Sequence, residues 1–98
     1  MDAEKILKAT KGIRDILTEY TCGANLTAKR KADEQIAIIR GAVEGGYLRE
    51  KAGNLSGWAE ILYSARKHER YGGVDAVKHE VIEVLSKIES FVKQGRTT

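Results

Sequence analysis

The amino-acid sequence predicts an all-α fold: a small antiparallel bundle of four helices, with one short extra turn near 47–52. Two observations carry this expectation. Val74, Val77, Val81, Val84, Ile88 and Phe91 recur at alternating spacings of three and four, reinforced by Leu85 and Val92. That pattern lays one apolar stripe along a helix of about five turns, and such a seam must be covered by other helices. The chain also contains no proline. Glycines and capping residues are therefore its only punctuation, and they fall between further apolar-periodic segments.

The first helix is expected over 3–20. Ile6, Thr10, Ile13, Leu17 and Tyr20 repeat at heptad spacing, and Ala9 and Ile16 broaden the face. Cys22-Gly23 follows, glycine being the residue that most readily takes the left-handed conformation past a helix end. Asn25 or Thr27 then offers an N-cap for a second helix over 28–44. Ala32, Ile36, Ile39 and Val43 form its main stripe, and Gly45-Gly46 closes it. At 100° per residue Ile38 lies well off that stripe, near Lys31 and Ala42, so this helix carries apolar residues on two sides.

Residues 47–55 read as a connection holding at most one loose turn. Asn54 or Ser56 starts a third helix over 56–71, with Trp58, Ile61, Leu62 and Ala65 facing inward. Gly72-Gly73 breaks the chain again. Gly73 or Asp75 opens the fourth helix, over 74–94, which ends at Gln94-Gly95. The two Gly-Gly pairs have unrelated surroundings, so they do not mark a repeat.

With 98 residues, 42% hydrophobic and 32% charged, residues 1–98 suit a single helical domain with one modest core. The net charge is +3. Basic and acidic residues are interspersed, eight against seven over 1–45 and nine against seven over 46–98. This balance permits an anionic partner without requiring one. The single cysteine, Cys22, cannot close a disulfide within the chain and suits a reducing cytoplasm. No apolar run is long enough to span a bilayer, so no membrane role is expected.

Candidate partner-binding residues cluster late in the third helix. Drawn as a helix, Tyr63, Arg66 and Arg70 share one outward face, flanked by Lys67 and Tyr71. Aromatic and guanidinium groups together anchor protein interfaces, stack on bases or grip phosphate. The competing reading is a solvated face whose arginines pair with Glu60 and Glu69. Lys29-Arg30-Lys31 forms a second basic cluster at a helix start, where cations oppose the helix dipole. Asp33 and Glu34 are close enough to offset it.

Metal chemistry finds little support. Asp75, His79 and Glu83 share a helix face, but that face lies opposite the Val77/Val81/Val84/Ile88 stripe and points to solvent, whereas bundle metal sites project inward. His68 sits at the edge of an apolar face with no evident catalytic partner. Cys22 lies near a helix end rather than a start, where a thiolate would be stabilised. No Gly-x-Ser-x-Gly, His-Glu-x-x-His or phosphate-loop pattern occurs. The residues imply neither a catalytic set nor a cofactor nor a metal.

The expected function is that of a non-enzymatic protein-interaction or regulatory module acting as a homodimer. It would self-associate through Ile38 and the fourth-helix residues Val77, Val81, Val84 and Ile88, and present Tyr63, Arg66, Lys67, Arg70 and Tyr71 to a protein partner. The alternative is nucleic-acid binding through Lys29, Arg30, Lys31, Arg66 and Arg70. A connection of about ten residues between the second and third helices is too long for a helix-turn-helix unit. A third reading is a small-molecule enzyme with a pocket between Tyr47 and Trp58.

Overall fold

The computed structural model describes residues 2–95. Four helices follow one another: α1 (Ala3–Glu19), α2 (Leu26–Ala42), α3 (Gly46–Leu62) and α4 (Val74–Lys93). A 3₁₀ turn, Lys67–Tyr71, lies between the last two. Each helix packs most closely on two others, in the ring α1–α2–α3–α4. The chain alternates in direction, as three contacts establish. The Asp2 N–H donates to the Ala42 carbonyl, joining the start of α1 to the end of α2. The Gly23 N–H donates to the Leu62 carbonyl, joining the α1–α2 connection to the end of α3. Tyr47, at the start of α3, stacks on Phe91, near the end of α4, with ring centroids 4.5 Å apart. This is an up-down-up-down bundle. One end, here called the loop end, holds the α1–α2 connection and the 3₁₀ turn.

The expected stripes of α1 and α4 are the faces that meet in the core. Ile6, Ala9, Thr10, Ile13, Ile16 and Leu17 are buried on α1. On α4, Val77, Val81, Val84, Leu85, Ile88, Phe91 and Val92 are buried. Arg14 adds a polar clasp between these two helices. Its guanidinium donates to both Glu89 carboxylate oxygens, at 3.0 and 2.7 Å, and to the Ser86 hydroxyl at 3.0 Å. Burial alone pushes the Glu89 pKa up. The hydrogen bonds from Arg14, with the charges of Arg14 and Lys93, outweigh it and hold the carboxyl below the usual range.

α2 starts at Leu26, two residues before the expected position, because the Asn25 side chain accepts from the Ala28 N–H at 3.0 Å and caps the helix.

The third helix departs furthest from expectation. It runs Gly46–Leu62 rather than 56–71, and residues 47–55 lie within it rather than forming a connection. Its buried positions, Leu48, Ala52, Leu55, Ala59 and Leu62, alternate spacings of four and three. Gly53 and Gly57 each weaken a helix by about 1 kcal/mol relative to alanine. Burying Leu48, Leu55 and Leu62 contributes roughly 1.5–3 kcal/mol each and outweighs that penalty. The helix stops early because Ser64 turns the chain. Its hydroxyl donates to the Ile61 carbonyl at 2.6 Å and accepts from the Lys67 N–H at 3.0 Å. Ala65, expected to face inward, is exposed in this turn. Gly72 ends the 3₁₀ turn in the left-handed region, φ +95°. The link from α2 to α3 is consequently residues 43–45, not about ten residues.

Among the described residues, no helix is long and apolar enough to cross a membrane.

Candidate functional site

The residues expected to mediate self-association separate into two groups. Val77, Val81, Val84 and Ile88 are buried within the chain itself, in one cluster with residues of α1, α2 and α3. Four helices around one core cover the α4 stripe fully, so those four residues are withdrawn from the surface. Ile38 is different. It stays 43% exposed, on the side of α2 away from the core.

Ile38 belongs to a longer exposed row. Leu26, Arg30, Glu34 and Ile38 follow at four-residue intervals, which aligns them along one ridge of the helix. All four are exposed, Leu26 to 82%. The inward residues Ala28, Ala32, Ile36 and Ile39 are buried. Beside Ile38 a groove of about 820 Å³ opens between α2 and α1, with Ala9, Ala37, Gly41 and Ala42 among its lining and Lys5 and Lys8 along the α1 side. Leu26 escapes sequence reasoning when α2 is begun at residue 28. The signal that recovers it is the Asn25 cap, which starts the helix at 26 and brings Leu26 into the Arg30–Glu34–Ile38 row.

The basic-aromatic cluster is also divided. Tyr63 does not share a face with Arg66 and Arg70. It is the C-cap of α3, its N–H still donating to the Ala59 carbonyl at 3.1 Å. It continues the buried Leu48–Ala52–Leu55–Ala59 stripe, while the chain leaves the helix after it. Tyr63 points inward and is 5% exposed. Its hydroxyl is buried without a hydrogen-bond partner. Burial, with a smaller contribution from Cys22, pushes its pKa up to about 12. Arg66, Lys67, Arg70 and Tyr71 are exposed. Arg66 lies 3.6 Å from Glu69 and Lys67 lies 3.0 Å from Glu60. Tyr71 meets Trp58 edge to face, at 5.3 Å between centroids.

The fold brings the second basic cluster to the same end. Lys29, Arg30 and Lys31 occupy the first turns of α2, beside the end of α3. A hydrogen bond and the charge of Lys67 hold the Glu60 carboxyl below its usual range, and Lys29 contributes to the same shift. Lys29 pairs with Asp33 at 2.6 Å. The Lys31 ammonium sits 5.9 Å from the centre of the Tyr20 ring. Cations at this end are thus largely matched by carboxylates or an aromatic face.

The remaining candidates lie apart. His79 is exposed and its Nε2 lies 3.6 Å from Glu83. His68 is half-buried, and its Nδ1 has no partner. The Cys22 thiol is raised by burial; Lys78 opposes the shift and Asp75 adds to it. Raising the pKa disfavours the nucleophilic thiolate. Among the described residues, no three His, Cys, Asp or Glu side chains converge closely enough to hold a metal ion. Tyr47 and Trp58 do not line one pocket. They occupy opposite ends of α3, stacked on Phe91 and on Tyr71 respectively.

No protein-family model, curated protein or solved structure matches this chain.

Proposed function

We propose that this protein is a non-enzymatic interaction module that acts as a homo-oligomer and offers its loop end, with Arg66, Lys67, Arg70 and Tyr71, to a protein partner. The observation that carries the reading is the exposure of Leu26 and Ile38 on the outward side of α2. The core closes without them, so their burial requires another surface. The reading sets the module in the cytoplasm, where a lone thiol such as Cys22 stays reduced. A small-molecule enzyme is set aside because the aromatic residues that would frame its pocket are at opposite ends of α3.

Light scattering on the purified protein over a range of concentration tests this reading. The expected result is a mass above that of one chain. A single-chain mass at every concentration contradicts it.

Nucleic-acid binding is the second reading, favoured by one observation: Lys29, Arg30, Lys31, Arg66 and Arg70 gather at one end of the bundle. The short link between α2 and α3 also removes the length objection raised by the sequence. Against it stand the carboxylates already paired with Lys29 and Arg66. Titration with mixed nucleic acid discriminates, because phosphate contacts release counterions and binding then falls steeply with salt.

A further inference from the structure

We propose that two copies of this chain pair through the outward side of α2, antiparallel, about a twofold axis passing between Arg30 and Glu34. The proposal rests on the self-association reading above and assigns it a surface and a register.

Along the exposed ridge the chemistry runs in a fixed order: apolar Leu26, cationic Arg30, anionic Glu34, apolar Ile38. Read in the opposite direction, the row is apolar, anionic, cationic, apolar. An antiparallel second copy therefore sets Arg30 of each chain against Glu34 of the other, and Leu26 of each against Ile38 of the other. A parallel copy in register would oppose arginine to arginine and glutamate to glutamate.

Spacing supports the same register. Leu26 and Ile38 each lie six residues from the midpoint of Arg30 and Glu34, a rise of ~9 Å on either side. The two ends of the row are equidistant from the axis, as an isologous interface requires. Ridges at four-residue spacing pack against their counterparts on another helix in the commonest crossing arrangement of globular proteins.

The groove completes the fit. Small residues, Ala9, Ala37, Gly41 and Ala42, lie among its lining beside Ile38. Leu26, at the opposite end of the ridge, is the apolar side chain placed to enter this groove on the second copy. Arg30 and Glu34 form no ion pair with each other or with another charged side chain among the described residues. Their neighbours Lys29 and Asp33 pair within the chain at 2.6 Å. Neither of the two charges that the antiparallel arrangement uses is taken up by an ion pair among the described residues.

Charge exchange tests the register in the full chain, with mass read by sedimentation equilibrium. Because the interface is isologous, Arg30→Glu places like charges across it twice, as does Glu34→Arg. Each single variant is expected to dissociate at least about tenfold more readily than wild type. The double variant R30E/E34R restores opposite charges and is expected to return to the wild-type mass. Mixing the R30E chain with the E34R chain places only opposite charges across the interface, and is expected to regenerate a dimer of one chain of each kind. Circular dichroism of each single variant checks that the bundle is folded. A wild-type dimer that neither single variant weakens overturns the α2 interface and leaves self-association standing. The α2 interface is equally overturned if both single variants weaken the dimer but neither the double variant nor the mixture recovers it. A wild type of single-chain mass overturns both readings.

Discussion

α4 and α2 have comparable roles in the core and opposite relations to solvent. α4 carries its buried apolar residues in one seam, and its one large off-seam apolar residue, Ile82, is partly buried against the core. Its exposed positions are filled by residues such as His79, Glu83, Ser86 and Lys87. Once α1 and α3 pack beside it, the seam is closed. α2 divides its apolar residues between two sides, with Ala28, Ala32, Ile36 and Ile39 inward and Leu26 and Ile38 outward. A long regular stripe is therefore no guide to what remains available for association in a chain of this size. Four helices suffice to bury the most regular seam, and the informative residue is the apolar one that falls off the stripe.

Core truncation puts the contrast between the two helices under the greatest load. Ile88→Ala is expected to destabilise the fold by about 2–5 kcal/mol, because it removes buried methylenes and leaves a cavity. Ile38→Ala is expected to change the stability of the isolated chain by no more than about 0.5 kcal/mol. Urea unfolding of both variants at low protein concentration measures the difference. Equal losses would mean that Ile38 belongs to the core after all.

Two glycines separate the interior of α3 from the turn that follows it. Gly53 lies inside the helix with open space around it, the nearest atom to an added Cβ being an Arg40 nitrogen at 4.0 Å. Gly53→Ala is expected to stabilise the protein by about 1 kcal/mol, in line with helix propensity. Gly72 has φ +95°, and a Cβ there would meet the Ala76 Cβ at 3.1 Å. Gly72→Ala is expected to destabilise by about 1 kcal/mol or more. Thermal unfolding of the two variants should move the midpoint in opposite directions.

The Arg14–Glu89 clasp predicts a smaller effect with a definite sign. The Glu89 carboxyl is lowered in the folded chain, so its contribution is present above the unfolded carboxylate pKa. It is lost as pH falls through the lowered folded value. Glu89→Gln is accordingly expected to destabilise at neutral pH and to lose most of that effect in acid, as a chemical-denaturation series across pH would register. A difference that grows as pH falls would reverse the sign. Tyr63→Phe is expected to have the smallest effect, neutral to stabilising by at most about 1 kcal/mol, since it removes a buried hydroxyl that has no partner. A clear loss of stability on unfolding would mean that the hydroxyl is bonded in solution.

The helical class, the count of four and the buried faces of α1 and α4 were legible in the sequence, because Ile6 to Leu17 and Val77 to Val92 repeat with the helical period. The extent of α3 was not. Three glycines between residues 46 and 57 favour a connection on local propensity, and only the burial of Leu48, Leu55 and Leu62 tips the balance to helix. Starting that helix at 56 also hides the Leu48–Ala52–Leu55 part of its buried stripe. The inward face is then drawn through Trp58, Ile61 and Ala65, and Tyr63, which continues the true stripe four residues after Ala59, is put on an outward face. Ile38 was legible as an off-stripe residue. Leu26 was hidden by two residues of uncertainty at the start of α2, which the Asn25 cap resolves.

The most direct test of the contrast between α4 and α2 is the solution mass of Ile38→Glu beside wild type, by sedimentation velocity at matched concentration. A dimer is expected for wild type and a folded single chain for the variant, with the same helical circular-dichroism signal. A variant that keeps the wild-type dimer mass would contradict the claim that the outward side of α2 is what a second copy covers.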